Sequence, residues 1–173
     1  MTFDIDTVRL DSQTLMMVGF AIALLASLWS RHWACAALSL LALVEAKVGL
    51  RLPFHVWVRD DLLGYPAAPE AKTALQIRLL EGTAVAAVVV VLAVLPLFLR
   101  ASAGRRLTLV GIALILGTLA LELISLHRMD AVIYHPEGPF LRSAIAYFLG
   151  AASMTAGVLL QHRRSKAGTG VTA

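Results

Sequence analysis

Apolar residues in this chain come in long blocks, separated by short polar connections. The blocks fall at 14–29, 33–50, 83–99, 107–126 and 143–160. Each is close to the roughly 20 residues that carry a helix across a hydrocarbon core. The first two are slightly short and are expected to run on into their flanks. Strict alternation of apolar and polar positions, the mark of a membrane barrel, is absent. Inside a bilayer every backbone polar group needs an internal partner, so blocks of this kind must be helices. The pattern therefore predicts an all-α, polytopic integral membrane protein. It would be one bundle of about five transmembrane helices over 1–164, with a flexible tail at 165–173 that is short, small and polar.

Composition agrees with the pattern. Hydrophobic residues make up 59% of the 173 and charged residues 15%, with a mean hydropathy of +0.80. Soluble domains run nearer about 45–50% and about 25%. The formal charge of +4 is accounted for by loop topology, so no nucleic-acid partner is implied. The only lysines are Lys47, Lys72 and Lys166, against many arginines, and asparagine is absent. That bias fits GC-rich coding and a bacterial source. The first 13 residues carry Asp4, Asp6 and Asp11 against Arg9 alone. This is the wrong sign for a cleaved signal, so the first block is expected to stay as a span. The single Cys35 cannot form an internal disulfide and is expected to pack as a small apolar residue.

Charge sorting adds a direction. Arg31, then Arg100, Arg105 and Arg106, then Arg163, Arg164 and Lys166 occupy connections without a carboxylate. Asp4, Asp6, Asp11, Asp60, Asp61, Glu70, Glu81, Asp130 and Glu137 occupy the alternate ones. Basic residues packed flush with span ends mark the cytoplasmic side. The expected orientation is N-terminus outside and C-terminus in the cytoplasm, as a multi-pass protein of the inner membrane. On the outer side, 51–80 forms an interfacial connection, with Trp57 at headgroup level and Pro69 suited to a first helical position. From there Glu70 to Glu81 reads as a polar lead-in to the third span. His135-Pro136-Glu137-Gly138-Pro139 predicts a rigid turn, and Pro96 is expected to kink or loosen the end of the third span.

Two seams of small residues stand out. Ala146, Gly150, Ser153 and Gly157 recur at i, i+4, i+7 and i+11 on the fifth span, and Ser39, Ala42, Ala46 and Gly49 draw a similar stripe on the second. Such stripes let helix backbones approach closely in lipid, within one chain or against a partner. Glu45 borders the second-span stripe, while Lys47 lies about 200° round the helix and is free to snorkel. Glu122 shares a face with Thr118 and Ser125. Both glutamates fall roughly 18–22 Å from the inner ends of their spans at 1.5 Å per residue. Carboxylates at that depth are candidates for structural ion pairs with Arg51, Arg78, Arg128 or Lys47 or for hydrogen bonds, then for proton or cation handling, then for metal ligation.

The remaining chemistry gathers outside. His55, His127, His135, Glu81 and Asp130 form a candidate outer polar cluster, with His127 and Asp130 at i, i+3, a spacing that lets a carboxylate fix an imidazole tautomer. His162 with Arg163 and Arg164 reads as a basic flank for anionic headgroups. Zinc and calcium spacings, a mid-span histidine pair for haem, a Gly-x-Ser-x-Gly elbow and a phosphate-binding glycine loop are all missing, so no metal, cofactor or catalytic residue is assigned. The leading expectation is a small membrane protein acting by helix packing, an accessory or assembly subunit with a membrane-protein partner or a second copy. The rival is a proton or cation transporter using Glu45 and Glu122. A third reading places an enzyme or metal site at the outer boundary.

Overall fold

The computed structural model describes residues 5–49, 53, 56–57, 64, 69–124, 134–137 and 140–169. Within them lie five helices: α1 Ile5–Trp29, α2 Trp33–Val48, α3 Pro69–Arg100, α4 Ala103–Ile124 and α5 Arg142–Thr169. A two-residue ribbon, β1 Pro136–Glu137 and β2 Phe140–Leu141, precedes α5. Four helices are long and apolar enough to cross a membrane, through Thr7–Trp29, Glu81–Arg100, Ala103–Glu122 and Arg142–Ala167. The protein is thus an all-helical membrane-type bundle. The second block falls short: α2 has 16 residues, about 24 Å at 1.5 Å per residue, against about 30 Å of hydrocarbon.

Local chemistry explains where the helices begin and end. α2 stops at Val48 because Gly49 takes a left-handed φ of 70° and donates its N–H to Glu45 O at 2.8 Å, a helix stop that glycine makes without Cβ strain. Pro69 opens α3 at the position where its missing N–H matters least. Pro96 lies inside α3, which still continues to Arg100. At the α3 terminus the Arg106 side chain covers last-turn carbonyls, donating to Phe98 O at 3.1 Å and Leu99 O at 2.6 Å. A cation there also suits the negative end of the helix dipole. α5 runs on through Ser165 to Thr169, so the helix takes up the first part of the tail expected to be flexible. α1 likewise starts at Ile5, well before the expected 14, and includes Asp11.

The core is built by α1, α2, α4 and α5. Phe20, Ala23, Cys35, Ile115, Tyr147, Ala151, Met154 and Val158 form its buried cluster. Cys35 packs there as the small apolar residue expected of it. Gln13 Nε2 donates to Ala46 O at 2.6 Å, which joins the start of α1 to the end of α2. Ser12 accepts from Leu141 N just before α5, and a Cβ on Gly19 would meet Phe148 and Ala151, so α1 and α5 run parallel. α4 runs antiparallel to α5, with Gly104 beside Gly157 and Gly111 beside Gly150. The seam at Gly150 and Gly157 is therefore closed within the chain, glycine against glycine. Ala146 and Ser153 flank it, half-buried. On α2, Ser39 and Ala46 of the second stripe are buried, whereas Gly49 is exposed.

α3 is different. None of its apolar window is buried, and Val85, Val88, Val89, Val90, Val91, Leu92, Leu95, Leu97 and Leu99 all stand exposed. Arg106 of α4 holds it at Phe98 and Leu99, at the very end of the helix.

Candidate functional site

Glu122 ends up buried, with 6% of its surface exposed. Its Oε2 accepts a hydrogen bond from Tyr147 Oη at 2.6 Å, between α4 and α5. The Tyr147 ring in turn stands edge-on to Phe20 of α1, centroids 6.0 Å apart at 63°. Three helices thus meet around one carboxylate. A hydrogen bond to a carboxylate is stronger than one between neutral groups, and more so away from water. Thr118, on the same face as Glu122, turns its hydroxyl back to Leu114 O of its own helix at 2.8 Å. Ser125 lies outside the described residues.

Above this pair, at the N-terminal end of α1, a pocket of about 560 Å³ opens between α1, the last turn of α2, β2 and the first turn of α5. Arg9, Ser12, Gln13 and Met16 come from α1, and Glu45, Ala46, Lys47, Val48 and Gly49 from the end of α2. Tyr134, Leu141, Ser143 and Ala144 close the other side. Ser12 is buried and accepts from Leu141 N at 2.8 Å, tying the ribbon to α1. The ribbon is pinned further by Arg142 Nε donating to Glu137 Oε1 at 2.7 Å.

The expected site residues are thereby sorted. Glu45, half-buried, lines the pocket, and Lys47 lines it too. The 200° separation on the helical wheel does not keep them apart, because the pocket wraps the end of α2, where the helix gives way to the Gly49 turn. Glu122 belongs to the layer beneath, with Tyr147. Glu81 is exposed on α3, and His135 is exposed beside the ribbon with Nδ1 2.9 Å from Pro136 O. His55, His127 and Asp130 lie outside the described residues, and among the described ones no three His, Cys, Asp or Glu gather as a metal site. The sequence reading missed Tyr147, Arg9, Ser12 and Gln13. Tyr147 carried a signal, since a tyrosine one turn before the Gly150 seam faces the same neighbour.

Fold and pocket together define, among the described residues, a helical membrane-type bundle with a mixed-charge pocket at one end and an apolar helix exposed along its length. No family model, curated protein or solved structure matches this chain.

Proposed function

We propose that this chain is an accessory or assembly subunit of a larger bacterial inner-membrane complex, and that α3 is the surface it offers its partner. In this reading the chain crosses five times, N-terminus outside and C-terminus cytoplasmic. The observation that carries the proposal is the exposure of α3 along its whole apolar length. Spanning helices gain from van der Waals packing on their neighbours, and α3 leaves that gain unused within its own chain. Its valines are β-branched and stiff at χ1, so docking costs them little rotamer freedom. Gly82, Ala86 and Ala93, at i, i+4 and i+11, give α3 a small-residue stripe, and a Cβ on Gly82 would meet nothing within 4 Å.

The test is purification from native membranes in mild detergent. The wild-type chain is expected to carry a stoichiometric membrane protein with it. Val89→Trp with Leu92→Trp is expected to release that partner by at least about tenfold, the result of losing roughly 1.4 kcal/mol of packing. The chain's own thermal melt should barely move, because both positions are exposed. A wild-type chain that leaves its membrane alone as a stable monomer sinks the proposal.

Transport through Glu45 and Glu122 is the second reading, favoured by the buried Glu122–Tyr147 pair. It expects Glu122→Gln to abolish ion flux in proteoliposomes while the fold survives; flux equal to wild type removes it.

A further inference from the structure

Where α1 stops and α4 starts, the bundle presents arginines that the chain itself leaves unanswered. Gly19 of α1 lies beside Ala151 of α5, and Arg31 and Arg163 follow that contact by the same number of residues. The two arginines therefore come to a similar level. Gly104 lies against Gln161, which brings Arg105 of α4 and Arg164 of α5 to the same end. All four are exposed, and among the described residues nothing bonds, pairs or stacks with their guanidinium groups. Other arginines are engaged: Arg106 covers the last carbonyls of α3, and Arg142, at the opposite end, pairs with Glu137. The sequence has no Asp or Glu in 12–44, 82–121 or 138–173, so these helices bring no carboxylate here.

Two further observations concern the turn after α1. Arg31 has a φ of 59°, the left-handed conformation in which a Cβ is strained and glycine is the usual helix stop. It closes α1, with Arg31 N–H donating to Leu28 O at 3.1 Å and His32 N–H to Ser27 O at 2.9 Å. The sequence thus keeps a cation at a position where glycine would be relaxed. Trp29 and Trp33 stand on either side of this turn, 75% and 69% exposed. An indole, apolar in its ring and polar at its N–H, suits the boundary between hydrocarbon and headgroups. Bare guanidiniums beside bare indoles at the end of a membrane-type bundle fit a lipid better than a soluble acidic protein.

We infer that this end of the bundle binds anionic phospholipid in preference to zwitterionic lipid, with the Trp29–Trp33 turn as its anchor. The planar fork of Arg31 takes the phosphate oxygens in pairs. Arg105, Arg163 and Arg164 add the field that favours a net negative headgroup. A zwitterionic headgroup carries its own ammonium or choline into that field and loses there what its phosphate gains. Phosphatidylglycerol carries no such cation. The inference stands on this end of the bundle and is independent of what α3 contacts.

The test is lipid titration of the full chain in neutral detergent, read by native mass spectrometry and by thermal melt. The lipids are phosphatidylglycerol, phosphatidylethanolamine and phosphatidylcholine of matched acyl chains. Phosphatidylglycerol is expected to bind about tenfold or more tighter than either other lipid. Arg31→Gly removes the charge and the backbone strain together. It is expected to cut that preference at least about threefold, while melting no earlier than wild type when lipid is absent. Arg163→Gln with Arg164→Gln is expected to cut the preference as well. Arg9→Gln removes an exposed charge at the opposite end and is expected to leave the preference intact. Soluble glycerophosphoglycerol, the headgroup without chains, should compete at least about tenfold more weakly than the lipid. Equal binding of the three lipids by the wild-type chain overturns the assignment. So does a loss in Arg9→Gln as large as that in Arg31→Gly, because net charge and not this end then sets the preference. A folded Arg31→Gly chain with undiminished preference removes Arg31 as the anchor. Competition by the soluble headgroup at concentrations equal to the lipid's overturns the lipid as occupant.

Discussion

Gly157→Leu is expected to unfold the bundle or leave it unable to close. A Cβ at Gly157 would fall on Thr108 N and Thr108 Oγ1, and 2.5 Å from Gly104 O. Two of those three atoms are backbone, so no rotamer change relieves the clash, and α4 must move away from α5. That motion has further consequences. The Thr108 hydroxyl, held by its own bond to Gly104 O at 3.1 Å, accepts from Gln161 Nε2 of α5 at 2.9 Å, and that second bond is strained by separation. Overpacking of a tight core costs about 1–3 kcal/mol for modest insertions, and a leucine set against backbone is expected to exceed about 3 kcal/mol. Gly111→Ala should behave similarly on a smaller scale, its Cβ lying 2.5 Å from Gly150 O and Met154 N. Gly117→Ala is the control: nothing lies within 4 Å of its Cβ, and replacing a helical glycine by alanine is worth about 1 kcal/mol in the favourable direction. Thermal unfolding in detergent measures all three. A Gly157→Leu chain that melts like wild type shows that α4 and α5 do not meet here.

The second large effect is expected at Tyr147. Tyr147→Phe keeps the ring against Phe20 and removes only the hydroxyl that donates to Glu122 Oε2. A buried carboxylate that loses a donor costs about 1–3 kcal/mol, more when the site excludes water. Glu122→Gln is expected to be milder, because an amide oxygen still accepts from Tyr147 Oη. Combining Tyr147→Phe with Glu122→Gln should cost less than the sum of the single changes, since both act on one bond. Strict additivity in that double-mutant cycle means that the pair does not interact.

How far the sequence reveals these features depends on the kind of contact. Helices are legible because the bilayer leaves the backbone no other choice, and the α5 glycines are legible because a stripe of small residues is a local, periodic pattern. What the stripe meets is a different matter. Gly104, Thr108 and Gly111 on α4 repeat the same spacing, but only the antiparallel approach of α4 to α5 shows that the two stripes close on each other. The Glu122–Tyr147 bond joins residues 25 apart, and nothing near Glu122 in the chain points to it. The i−4 neighbour Thr118, which does share its face, bonds its own helix instead. Lys47 is placed correctly on the helical wheel and still reaches the pocket, because the pocket wraps around the end of α2. The isolation of α3 is the least legible feature. Lipid tails and a packed neighbour make the same demand on a side chain, so a valine-rich span reads alike in both settings.

One measurement separates a packed neighbour from surrounding bilayer. A photo-crosslinking amino acid at position 89, mid-way along the bare face of α3, is activated in native membranes, with the same probe at exposed Leu25 of α1 as reference. The account predicts one discrete protein adduct from position 89 and diffuse lipid labelling from position 25. Lipid labelling alone from both positions contradicts it, and leaves α3 as a helix surrounded by bilayer.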